Sequence, residues 1–354
     1  MPAELSTTEA NRKTGDGEEP TSRKTAPVFV LGCGRSGTKL LYHMLLSSGG
    51  FAVYHSESNA FNLLGSRFGN LHHRANRQKL LNVWFRSMLF ERSGLTREEI
   101  EPRVLNECRN TGDFLRILME TIARKQGKGR WAESTPLHML YLPTVKKLIP
   151  DALIIHIIRD GRDVAVSLNK IKWIRPFFWD RQRSLIVAGI FWKWIVGKGR
   201  KYGREMGSDY LEVHYEDLVN KPRETLTQVS RFIDQELDYE RIQGQALGSV
   251  QSPNSSFRSD TAQRDLSPVG RWRKLVPPAE LAQLESVLGD LLEQVGYQCE
   301  SSPKQRTPTF AVRLMRILYP AFWDLKLWLK SSTPLAMIAD IQRMGVREGL
   351  REGQ

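Results

Sequence analysis

Residues 28–39, VFVLGCGRSGTK, run from an apolar, β-rich stretch into three glycines set around Arg35 and Ser36, and then out into LLYHMLL. Apolar residues at helical spacing follow Lys39, so the order is strand, glycine turn, helix. Glycines let a backbone approach an anion closely, and the helix that follows adds the positive potential of its N-terminus. A phosphate-like group is the ligand this arrangement suits.

The same unit recurs downstream. Residues 152–158, ALIIHII, are apolar apart from His156, as expected of a parallel strand buried on both faces, and they run straight into RDGRDVAVSL. Residues 210–214 form a third short strand, followed by YEDLVNKP and a helix from about Pro222 to Ile233. Residues 71–125 are mostly helical in pattern, and a leucine-rich helix begins after Pro277 and Pro278 and stops at Gly296. Repeated strand-to-helix units predict an α/β protein: three layers, with a central parallel sheet flanked by helices in the manner of P-loop folds.

Composition narrows the classes. The 354 residues are 40% hydrophobic, enough for an ordinary core, and the net charge of +13 predicts attraction to anions. Three cysteines, at 33, 108 and 299, form no CxxC pair, so neither a disulfide scaffold nor a metal site is indicated. Residues 1–26 lack an apolar leader region and read as a disordered tail. A cytoplasmic protein, peripheral to a membrane at most, is expected.

The first loop differs from the nucleotide triphosphatase pattern G-x-x-x-x-G-K-[ST]: after Gly37 stand Thr38 and Lys39, not Lys and Ser or Thr. The lysine is displaced by one position, roughly 100° around a helix of 3.6 residues per turn. A nucleotide kinase is disfavoured on that ground, though it and a non-catalytic anion- or polysaccharide-binding protein remain alternatives. No nucleic-acid recognition module is present.

Arg35-Ser36-Gly37-Thr38, together with Arg159 and Ser167 eight positions apart in RDGRDVAVS, resembles the sulfotransferases that use 3′-phosphoadenosine-5′-phosphosulfate. WAESTP at 131–136, VHYEDLVNKP at 213–222 and VGRWRKL at 269–275 match in the same order, so the resemblance spans residues 27 to about 298. It implies a sulfotransferase domain over 27–300; residues 301–354 lie outside the resemblance and read as a helical extension. It also implies that Arg35, Ser36, Gly37, Thr38 and Lys39 hold the 5′ phosphosulfate, that Arg159 and Ser167 hold the 3′ phosphate, and that Arg271 and Lys274 cover the nucleotide. No metal is required. Trp272 packs near the adenine or anchors its loop.

For the base that takes the acceptor's proton, Glu57 in AVYHSESNAF is the candidate, because the tyrosylprotein branch of the family carries a catalytic Glu at a similar distance after the first loop. Arg35 and Lys39 supply the cationic part of the catalytic set. The histidine that cytosolic members carry in a K-T-H-L-P segment is absent: Glu133-Ser134-Thr135-Pro136 stands there, with Ser134 where bacterial-type members have lysine. His55 and His138 are reserve bases. Tyr215, Glu216 and Asp217 are expected to cap and pack. The acceptor is a hydroxyl on a saccharide, lipid, small molecule or tyrosine, and Trp173, Phe177, Phe178 and Trp179 are candidates for its wall. Pro320 is expected to divide the aromatic, basic extension into two helices. These pack on the domain, on a second copy in a homodimer, or on an anionic membrane.

Overall fold

The computed structural model describes residues 23–65, 67–251 and 269–332. Its centre is a five-stranded sheet in the order β2-β3-β1-β4-β5. The strands are β1 (Val28–Leu31), β2 (Phe51–Ala52), β3 (Arg130–Glu133), β4 (Leu153–Ile158) and β5 (Tyr210–His214), and every pairing is parallel. Alternate side chains enter two separate cores. Val28, Val30, Leu153, Ile155 and Ile157 face one, whereas Phe29, Leu31, Ile154 and Ile158 face the other. Helices cover both faces, so the expected three layers are present.

Strand β1 lies between β3 and β4, where the winding of the sheet reverses. Open parallel sheets leave a crevice at such a point, beyond the carboxyl ends of the strands. The 28–39 loop therefore opens into a ligand position.

The sequence reading missed β3. Its four residues, RWAE, are wholly buried, yet both ends are charged. Arg130 is tolerated because its guanidinium donates to the carbonyls of Ala26 at 2.7 Å, Ile233 at 2.9 Å and Arg23 at 2.7 Å. Hydrogen bonding of this kind offsets the cost of burying a charge.

The extension also differs from expectation. Phe310–Ser332 is one helix with Pro320 inside it. Proline removes one backbone donor and costs roughly 3 kcal/mol in a helix interior. Here Tyr319 and Trp323 pack against the domain on either side of the break: Tyr319 Oη accepts from Phe177 N and donates to Asp180, and Trp323 meets Phe191 and Trp194. Packing on both flanks keeps the helix continuous. The three thiols are free. Among the described residues no helix is long and apolar enough to cross a membrane.

Candidate active site

The carboxyl ends of the strands surround a cavity of about 310 Å³ lined by Gly34, Arg35, Gly37, Thr38, Lys39, Glu57, Pro136, Arg159, Trp173 and Tyr215. Each strand contributes through the loop that follows it. Helix α1 (Thr38–Ser47) starts at the cavity, capped by Gly37 in the left-handed region at φ 96°. A Cβ on Gly37 would lie 2.3 Å from the Tyr215 ring, so glycine is required there for both reasons.

Three guanidinium groups converge on this crevice. Arg35, itself in the left-handed region at φ 74°, donates from Nε to Ser167 Oγ at 3.0 Å. Arg159 donates to the Arg35 carbonyl at 3.3 Å and lies over the Tyr215 ring, 4.4 Å from its centroid. Burial first, and Arg159 second, push the ionisation of both Arg35 and Arg271 downward. A like-charged cluster of this kind is relieved by an anion.

Arg271 is presented by a buried device. The Asp163 carboxylate accepts from Gly270 N at 2.8 Å and Trp272 N at 3.1 Å, and its own contact with Arg159 is 3.6 Å. Arg162 lies 3.8 Å from the Trp272 ring centroid while it pairs with Asp160 and Glu285. Trp272 is thus a loop anchor in the core. Lys274, in contrast, is exposed on the turn beyond it and is not among the residues lining the cavity.

Glu57 faces Lys39 across the cavity, on the loop after β2. Burial raises its carboxyl above the ordinary value, Lys39 pulls it back, and Glu133 adds to the rise. A half-buried carboxylate with a raised pKa is suited to accepting a proton near neutral pH.

Sequence reasoning missed what holds that loop. Glu133, at the end of β3, accepts from Ser58 Oγ at 2.7 Å, from the Thr135 hydroxyl, and from Thr135 N at 3.0 Å. Its other contact is His138 Nδ1 at 3.1 Å, whose Nε2 accepts from Phe61 N at 3.2 Å. That second bond places the ring proton on Nδ1, toward Glu133. Although burial alone would raise the Glu133 carboxyl, the hydrogen bonds from His138 and the hydroxyls outweigh it and hold it below the ordinary value. The charge in this segment is thus a positioning device for residues 57–61. His138 is fully buried and committed, so it is not a reserve base. His55 is exposed and lies outside the cavity lining.

Replacing Glu133 with alanine would orphan Ser58, Thr135 and His138 together. Breaking a buried charged network from one side costs about 3–5 kcal/mol, and that loss is expected in denaturant unfolding of Glu133→Ala.

Tyr215 also does more than cap its helix, since it floors the cavity beneath Arg159. Glu216 keeps the structural role expected of it, accepting from Asp160 N at 3.1 Å and from the Tyr297 hydroxyl at 2.5 Å. A larger cavity of about 440 Å³, between Phe61 and Lys330, lies away from the carboxyl ends of β1, β4 and β5.

Residues 27–239 match the model of the sulfotransferase family. The chain belongs to that family. Two relatives in Caenorhabditis bear the name "Putative protein-tyrosine sulfotransferase". The C. briggsae protein is 23% identical over 197 residues, which cover 54% of this chain and 69% of that protein. The C. elegans protein is 27% identical over 118 residues, 33% of this chain and 45% of that one. Among solved structures, the sulfotransferase domain of the Synechococcus PCC 7002 olefin synthase aligns with a TM-score of 0.52 at 20% identity. It covers 80% of this chain and 99% of that domain, and the likeness shows the fold. This sulfotransferase is therefore an enzyme whose family implies 3′-phosphoadenosine-5′-phosphosulfate as co-substrate and a hydroxyl-bearing acceptor.

The residues present fit that donor. Ser36 Oγ, at the tip of the first loop, is buried without a hydrogen-bond partner among the described residues, and the arginine cluster lies beside it. The loops after the neighbouring strands β1 and β4 both reach the cavity, a spacing that suits a ligand with an anionic group at each end.

Proposed function

We propose that this sulfotransferase holds the 5′ phosphosulfate with Ser36, Gly37, Thr38 and Lys39, and the 3′ phosphate with Arg159, Ser167 and Arg271, while Glu57 takes the proton from the acceptor hydroxyl. Arg35 spans the two anion sites, because its backbone belongs to the first and its guanidinium bonds Ser167 in the second. The donor supplies the sulfuryl group. Lys39 and the N-terminus of α1 stabilise the charge that develops on the departing phosphate oxygens.

The observation that carries this reading is the placement of a half-buried Glu57 opposite Lys39, in the same cavity as Arg159. The acceptor class to test first is a tyrosine hydroxyl in an acidic peptide. Its support is the name of the two Caenorhabditis relatives and the exposed Lys39 and Lys172 at the mouth. A saccharide, lipid or small phenol would use the same proton transfer.

Calorimetric titration with 3′-phosphoadenosine-5′-phosphate tests the donor site. Binding should be at least 10-fold tighter than that of adenosine-5′-monophosphate, since one charge-assisted contact is worth about 1.5–3 kcal/mol. Equal affinity for the two nucleotides would remove the basis of the reading. Labelled donor with an acidic tyrosine peptide then tests the acceptor.

A further inference from the structure

The Phe310–Ser332 helix is apolar on two opposite sides. Val312, Met315, Tyr319 and Trp323 face the domain. Phe310, Leu314, Ile317, Leu318, Leu325 and Trp328 face outward, with exposures from 45% to 82%. Phe310, Ile317 and Leu325 each sit two positions from a residue of the inner stripe, roughly 200° around a helix of 3.6 residues per turn. A helix that needed only to pack on its own domain would carry polar residues on that outer face.

The surroundings of the outer face are cationic. Within the helix stand Arg313, Arg316, Lys326 and Lys330 against one carboxylate, Asp324. That carboxylate is turned to the domain, where Lys198 at 3.0 Å and Trp194 Nε1 at 2.9 Å hold it. The apolar surface continues beyond the helix. Phe322 meets Phe177, which stacks on Trp179, and the exposed Phe178 adjoins it. Four residues before Phe177 stands Trp173, on the rim of the donor cavity.

We propose that this face docks on an anionic lipid surface, with the helix lying in the plane of the interface. Aromatic residues near both ends, apolar residues between them and basic flanks are the composition that suits a headgroup boundary. Pairing with a second copy is disfavoured by the same charges, because a two-fold contact would set basic flank against basic flank. Anionic headgroups neutralise those flanks. Docking would bring the Trp173 rim toward the membrane, so that acceptors at its surface meet the cavity.

The test is sedimentation of the full chain with vesicles of phosphatidylcholine alone and of phosphatidylcholine with phosphatidylglycerol. Binding to the mixed vesicles at least 10-fold stronger than to the neutral ones is expected, weakening as salt rises. The Leu314→Glu/Leu325→Glu variant should lose at least another 10-fold, while its affinity for 3′-phosphoadenosine-5′-phosphate stays that of the parent. If that variant melts early, Phe310→Ser/Trp328→Ser takes its place. Absence of binding, equal binding to both vesicles, or unchanged binding of both variants would overturn the proposal. Light scattering that shows a dimer broken by the same variants would overturn it as well, and would assign the face to a second copy.

Discussion

Arg159→Ala should abolish tight binding of 3′-phosphoadenosine-5′-phosphate while leaving the fold almost untouched. Arg159 is 6% exposed, follows β4 directly, and has Tyr215 beneath its guanidinium. Charged hydrogen bonds to phosphate are worth about 1.5–3 kcal/mol each, and a forked guanidinium contact makes two. The expected loss is therefore on the order of 100-fold or more in affinity. Stability should move much less. Arg159 repels Arg35 and Arg271, and its removal relieves both, offsetting the loss of its 3.6 Å contact with Asp163. Thermal melts check the two halves of this result together: the melting temperature without ligand should shift little, and the rise caused by the nucleotide should vanish. A variant that melted far below the parent without ligand would make Arg159 a structural residue and remove it from the binding set.

The two loops that line the cavity were legible in the sequence because each is local. Gly32, Gly34 and Gly37 follow an apolar run, and Arg159 and Ser167 lie eight positions apart on one strand-loop-helix unit. What joins them was not. The bond from Arg35 to Ser167 spans 132 positions, and Asp163 reaches Gly270 across 107. Charge in the core was the second blind spot. Arg130 and Glu133 hid β3, because the carbonyls that satisfy Arg130 and the Ser58 hydroxyl on Glu133 come from elsewhere in the chain. Pro320 misled for a related reason: a local rule predicted a break, and packing of Tyr319 and Trp323 overrode it. Short strands with satisfied charges, and helices stapled on both sides of a proline, are decided by tertiary contacts that sequence periodicity does not record.

Glu57→Gln separates chemistry from binding. A positioned general base contributes about 10²–10⁴-fold, so kcat should fall by that range, with nucleotide affinity within a few-fold of the parent. The acid limb of the parent's pH profile should lie above the 4.5 of an ordinary glutamate, because burial raises the Glu57 carboxyl and only the ionised form accepts a proton. The sign of the stability effect is opposite to that of activity. A carboxyl whose folded-state pKa is raised contributes stability below its unfolded value and loses that contribution as pH rises through the folded value. At neutral pH the ionised Glu57 is thus a cost to the fold, and Glu57→Gln should melt higher than the parent although it turns over far more slowly. Lys39 limits that cost by favouring the ionised form. Lys39→Met should therefore move the acid limb further up in pH, which a mere loss of donor affinity would not do. If the limb stays in place, Lys39 serves only the phosphosulfate. A kcat for Glu57→Gln within threefold of the parent would assign the proton transfer to another group.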